Sequence, residues 1–349
     1  MTPPAEQLPV DSHPVLRVRD QGELVAAVPA MLGFHPRESL VLIATGGRSG
    51  RRLGLTLRVD LPPPEHPDHA EHAELIAASA VSGVLLDEPA GAVALVVSES
   101  GDPPEVLPHL LLAGRVASAL EARHVPLQAM VWAERTAGGA RWACYEPCSC
   151  AGLVPDPSGT AFVAAVVAEG RVVLADRAEL TAFVAPADAA RIRRREEMLI
   201  RATDGDPVDD GPIVVEASAG IDVLHTALAD AAAGRLELSD ARVLALATAL
   251  GIDEVRATAL RRCAGPHAAA AEQLWAALTR ETPDPEAAEP AALLAMSALL
   301  RGDGALANVA LDRAEGAWPG HAFAALVRRA AMAGLRPSAI REVLTRDSR

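Results

Sequence analysis

His35, Arg37, Glu38 and Ser39 crowd into one short turn, and Asp60 closes the second of the two apolar runs that follow it. A histidine beside carboxylates can act as a general base, and an arginine can grip an anion. Residues set between a helix end and a strand start occupy the position where open α/β sheets commonly hold ligands. The turn is therefore the candidate ligand-binding site, provided that His35 and Asp60 fall at the same end of the sheet. The competing reading is architectural: Gly33 and Pro36 fix a tight connection, Phe34 packs inward and His35 satisfies a backbone carbonyl.

Three further groups carry chemistry in principle. Cys144, Cys148 and Cys150 follow a C-x3-C-x-C spacing, and thiolates so close could hold zinc. A structural zinc site needs four ligands, however, and the fourth cysteine, Cys263, is far along the chain, so buried, redox-inert thiols and a labile disulfide are the competing readings. His66, His69 and His72 recur at three-residue steps, a metal-compatible spacing set in an acid- and proline-rich helix start that reads as a solvated face. TGGRSGRRLG is rich in glycine and arginine, but a strand follows it, whereas a dinucleotide fingerprint needs a helix there. It reads as a hairpin tip. No GxSxG elbow, HExxH pair or EF-hand loop is present, and no cofactor is expected apart from the zinc reading of the cysteines.

Composition narrows the field. The chain of 349 residues contains no lysine; all 32 basic residues are arginine. Walker-type phosphate loops, Schiff-base and pyridoxal enzymes and protein kinases all depend on a lysine amine, so these chemistries are excluded. A net charge of -14 opposes phosphate backbones and anionic lipid surfaces, and 3% aromatics leave few platforms for bases. Nucleic acid is not expected as a partner. Four cysteines, no basic-then-apolar leader and no apolar run long enough for a bilayer predict a cytoplasmic protein with no membrane insertion.

The elements that must position these residues follow from periodicity and capping. Residues 1–14 read as a disordered leader and 15–18 as a short strand. Asp20 N-caps a helix with Leu24, Val25 and Val28 on one face; Pro29 should kink or break it and Gly33 should end it. Strands are predicted over 39–44, 53–60, 92–98, 127–134 and 140–145, with helices over 68–79 and 105–123 between them. This alternation predicts a mixed-sheet α/β domain over 15–157. Residues 158–203 form a helical connector, in which the arginine run 191–195 reads as a solvated face with local ion pairs. The stretch 204–212 is an acidic linker or loop. Residues 213–349 are predicted as an all-α domain, with helices over 221–233, 240–250, 253–263, 267–280, 290–300, 304–317, 319–333 and 337–346. Its last hairpin has the spacing of a tetratricopeptide unit, and a generic helical bundle is the alternative.

With these residues in hand, a family resemblance emerges. LVAAVPAMLGFHPRESLVLI followed by LRVDLP resembles the signature of an actinobacterial group, domain-of-unknown-function family 4192. RWACYEPCSCAGLVPDP resembles that family's aromatic-and-cysteine segment, with Trp142-Ala143 standing where the family usually has an aromatic pair. GDGALANVALDRA resembles its C-terminal helical region. The resemblance covers about residues 15 to 335. It implies the domain layout and a bacterial cytosolic setting, and no reaction.

Together these readings favour a non-enzymatic binding or scaffold protein that meets a protein partner through its helical domain. A small-molecule-binding or hydrolytic enzyme using the His35 turn is the first alternative, and a module stabilised by metal at the cysteines is the second. The layout carries its own test: strands beyond position 220, or one core running through both portions, would overturn it.

Overall fold

The computed structural model describes residues 20–46, 52–61, 69–99, 106–145, 150–160, 162–164, 173–203, 216–333, 335 and 337–346. The leader, the strand expected over 15–18, the hairpin tip at 47–51 and the acidic linker lie outside the described residues.

The first helix, α1 (Gln21–Leu32), starts where Asp20 accepts the Glu23 amide at 2.9 Å and stops at Gly33, whose φ of 79° is left-handed. Pro29 neither ends nor splits it: the helix runs on for three residues, and the Gly33 amide closes the last turn on the Pro29 carbonyl. Nine of its twelve residues are buried. A helix that is apolar on every side must be covered on every side, so the single apolar face read from the sequence is too narrow.

Six strands form one mixed sheet: β1 (Ser39–Gly46), β2 (Arg52–Asp60), β3 (Gly91–Val97), β4 (Leu127–Ala133), β5 (Arg141–Cys144) and β6 (Ala151–Leu153). Their order is β2-β1-β3-β4-β5-β6. Only β3 and β4 are parallel, and the crossover between them carries α3 (Leu110–Glu121); α2 (His69–Val84) links β2 to β3. The exposed edge strand β6 is not foreseen from the sequence, because three residues including a glycine are too few for alternation to show.

Side chains alternate across the sheet. Leu40, Leu42, Ala94, Val96 and Trp132 join α2 and α3 in one buried cluster. Val41, Ile43, Leu95, Val97 and Val131 face the other way, toward α1. The two central strands, β1 and β3, are therefore buried on both faces, and their sequences read as continuous apolar runs.

After the sheet the described chain is mostly helical: α4 (Arg177–Val184), α5 (Ala189–Thr203), α6 (Ala217–Ala232), α7 (Asp240–Leu250), α8 (Asp253–Arg262), α9 (Ala268–Glu281), α10 (Ala288–Arg301), α11 (Gly304–Ala317), α12 (Ala322–Met332) and α13 (Pro337–Arg346). No strand occurs beyond position 220 among the described residues. The mixed sheet with helices followed by a helical stretch is thus the fold that the sequence predicts.

The expected separation of cores is corrected. One cluster of buried side chains contains Val41 and Leu95 of the sheet, Val25 and Val28 of α1, Leu180 and Val184 of α4, and Leu224, Trp275, Leu294 and Val327 of the bundle. The physical link is the connector: Leu174 bonds to Gly33 and His35 at the end of α1, and α4, which follows it, packs on α9 and α11.

The arginine run is corrected as well. Arg195 is buried; its guanidinium donates to Asp240, to Glu281 and to the Leu238 carbonyl at 2.9 Å. Arg191 pairs with Glu281 at 3.1 Å and Arg194 with Asp240 at 2.7 Å. These pairs tie α5 to the bundle, where the sequence reading expects pairs along one helix.

Candidate functional site

The turn after α1 sits where the sheet register requires. Ser39 lies opposite Asp60 on β2 and opposite Val97 on β3, and Val97 lies opposite Ala133 on β4. His35, Ser39 and Asp60 therefore share one end of the sheet, the end at which the parallel pair β3 and β4 terminates. The geometric condition set by the sequence is met.

The bonds made there are specific. The His35 ring nitrogen Nδ1 bonds to the buried Thr136 hydroxyl at 2.9 Å. Burial, and then the nearby Arg37 charge, lower the His35 pKa, which favours the neutral ring at pH 7. Ser39 is fully buried; its hydroxyl donates to the Arg37 carbonyl and accepts from Arg58 Nε at 2.8 Å. Arg58 also pairs with Asp60 and lies over the Phe34 ring. Exposed Glu38 accepts the Glu99 amide at 2.9 Å. Arg37 itself is exposed.

The five predicted residues are thus gathered at one sheet end. One nitrogen of the His35 ring is held by Thr136, and the Ser39 hydroxyl sits between the Arg37 carbonyl and Arg58. What the turn does hold is the connector. Leu174 accepts the His35 amide at 3.2 Å and donates its own amide to Gly33 at 2.8 Å. Arg177 at the start of α4 reaches Asp60 at 3.8 Å and Asp312 of α11 at 3.6 Å.

Beside this latch, a cavity of about 720 Å³ opens between the end of α1, the connector and the bundle. Gly33 and Ala30 form one wall, and Leu174, Leu180 and Phe183 form a second. Small side chains of α9, among them Ala268 and Ala276, and Leu300 of α10 complete the apolar lining. One stretch of the lining is polar. Glu272 accepts two hydrogen bonds from Arg301, at 2.9 and 3.1 Å, and Arg301 also reaches Asp303 at 3.2 Å. Asp303 in turn caps α11 through the Leu306 amide. Arg341 enters from the last helix and donates to the Leu300 carbonyl. Cys263 lines the cavity as a neutral thiol, its pKa pushed by burial to about 11.

Sequence reading does not find this cavity. Its residues come from segments between positions 30 and 341, and no local spacing links them. The one available signal is the run of alanines on α9, which leaves room where larger side chains would fill it.

The cysteine segment is split by the structure. Cys144 is a free, buried thiol with a pKa raised by burial, and Cys150 is disulfide-bonded. Cys148 lies outside the described residues. Among the described residues, no group of three histidine, cysteine or acidic side chains is placed to hold a metal. Zinc at this segment would require Cys150 as a thiolate. His69 and His72 are both on α2, and His66 lies outside the described residues. No described helix is long and apolar enough to cross a membrane.

Residues 22–338 match the family described as a domain of unknown function, DUF4192. That match covers most of the chain, so the chain belongs to this family. Neither a curated protein nor a solved structure matches it.

Proposed function

We propose that this DUF4192 protein is a binding protein for a small organic molecule, held in the cavity between α1, the connector and the bundle. The observation that carries the reading is the make-up of that cavity: about 720 Å³, apolar for most of its lining, with the Glu272–Arg301–Asp303 group set into it. Pockets of this size with few, placed polar groups are the usual form of ligand sites. The acids and arginines there offset one another, which favours a largely uncharged ligand with an apolar body and a few hydrogen-bonding groups.

A core shared between sheet and bundle supports this reading over a separate helical scaffold, because it gives the bundle a role as the cavity's wall. The turn at His35 contributes by fastening that wall. The hydrolytic alternative finds less support, since the Ser39 hydroxyl is fully buried and bonded to the Arg37 carbonyl and Arg58 rather than to His35.

The test uses the neutral dye N-phenyl-1-naphthylamine. A saturable, one-to-one rise in its fluorescence is expected with the full chain. Ala276→Trp, which fills the cavity from α9, should remove that rise while the protein stays folded by circular dichroism. Equal binding by the variant would sink the proposal.

A further inference from the structure

A second, smaller recess of about 440 Å³ lies on the far side of the loop that follows α8. Its polar lining is cationic or neutral: Arg261, Arg262, His225, His267 and the Thr258 hydroxyl, with no carboxylate. Arg262 donates to His225 Nε2 at 3.1 Å, and Arg261 donates to Thr258 at 2.9 Å. Among the described residues neither arginine is paired with an acid. Elsewhere in the bundle, arginines such as Arg242, Arg256, Arg301 and Arg313 each have one.

Arg261 and Arg262 line one recess, and in a chain of net charge -14 carboxylates are plentiful. With none in its lining, the recess is a positive concavity that an anion would neutralise. A guanidinium fork matches two oxygens of one tetrahedral anion better than a point charge does. The hydrogen bonds to His225 and Thr258 hold the forks in place, which lowers the ordering cost of binding. The recess is many times the ~30 Å³ that one water occupies, so it has room for an organic body attached to the anion.

We infer that this recess binds a small phosphate-bearing molecule, a phosphate monoester or a diphosphate, through Arg261 and Arg262. The site is separate from the apolar cavity, although Ala264 contributes to the wall of both.

Calorimetric titration of the full chain with inorganic pyrophosphate at low ionic strength tests this. One-to-one binding is expected, weakening as salt is added. Arg261→Ala and Arg262→Ala should each weaken it tenfold or more, and Arg262→Lys, which keeps the charge and loses the fork, should fall between. Arg280→Ala, on exposed α9 surface outside the recess, should change nothing. Both alanine variants should keep the native melting temperature and the dye binding described above, which separates this site from the apolar one. The inference is overturned by no measurable heat at millimolar pyrophosphate, by unchanged affinity in the alanine variants, by citrate binding as tightly as pyrophosphate, or by polyglutamate binding where pyrophosphate does not.

Discussion

Glu289 Oε2 and His321 Nε2 lie 3.0 Å apart, and each side chain is only 10% exposed. His321 Nδ1 accepts the Ala324 amide at the start of α12, so in the neutral ring Nε2 carries the proton and donates to the carboxylate. Burial pushes the Glu289 pKa up to about 7, against the pull of Arg256 and with a further push from Asp253. Burial, and then Arg256, lower the His321 pKa.

The sign of the pH dependence follows. A carboxyl whose pKa is higher in the folded chain than its ordinary 4.5 withdraws stability as pH rises from 4.5 through about 7. The lowered histidine acts oppositely and withdraws stability as pH falls below its ordinary 6.5. Glu289→Gln removes the first contribution. The melting temperature of the variant relative to the parent should therefore climb between pH 5 and pH 8. Two parallel curves across that range would refute the assignment.

Arg195 offers a test of the bundle's fastening. Its alanine variant leaves Asp240, Glu281 and the Leu238 carbonyl without a shared partner in a nearly dry place. Asp240 keeps Arg194 and Glu281 keeps Arg191, so the cost is that of lost hydrogen bonds to charged groups, about 1.5–3 kcal/mol. Urea unfolding should show a loss of that order. Arg195→Lys should recover only part of it, because an ammonium cannot reproduce the fork.

Gly33 is the left-handed residue that ends α1 and exchanges a backbone bond with Leu174. A side chain there costs about 1–2 kcal/mol from backbone strain alone. Gly33→Ala should lower stability by that amount. Because Gly33 also lines the apolar cavity, dye affinity should fall in the same variant. A drop in stability with dye binding intact would detach the turn from the cavity.

Ser39→Ala separates latch from ligand site. The buried hydroxyl joins Arg58 to the Arg37 carbonyl. Its loss should cost about 1–2 kcal/mol, measured by urea unfolding, and leave dye affinity within twofold. A tenfold loss of affinity would return the turn to the role of binding site.

Local signals were legible in the sequence wherever one residue type decides one geometry. Asp20 and Gly33 bound α1, and Ser239 caps the helix predicted over 240–250, which is the α7 observed. The apolar runs of β1 and β3 declared central strands. Long-range facts were not legible. The arginine run 191–195 reads as solvated, because nothing local reveals that Asp240 and Glu281 arrive to bury Arg195. The turn's polar residues are correctly placed at one sheet end, yet their spacing cannot disclose that Thr136, a hundred residues away, takes the His35 ring. The Arg261–Arg262 pair ends a helix, where cations offset the macrodipole as a matter of course, so only the acid-free recess they share, visible in three dimensions, marks it out.

The smothered first helix also bears on how the protein can be handled. Trimmed back to the sheet portion, the chain would lose the part of its buried cluster that the bundle supplies and leave greasy side chains of α1 and the sheet less covered. Halves of this protein made separately should precipitate, and should regain solubility only when both are produced together.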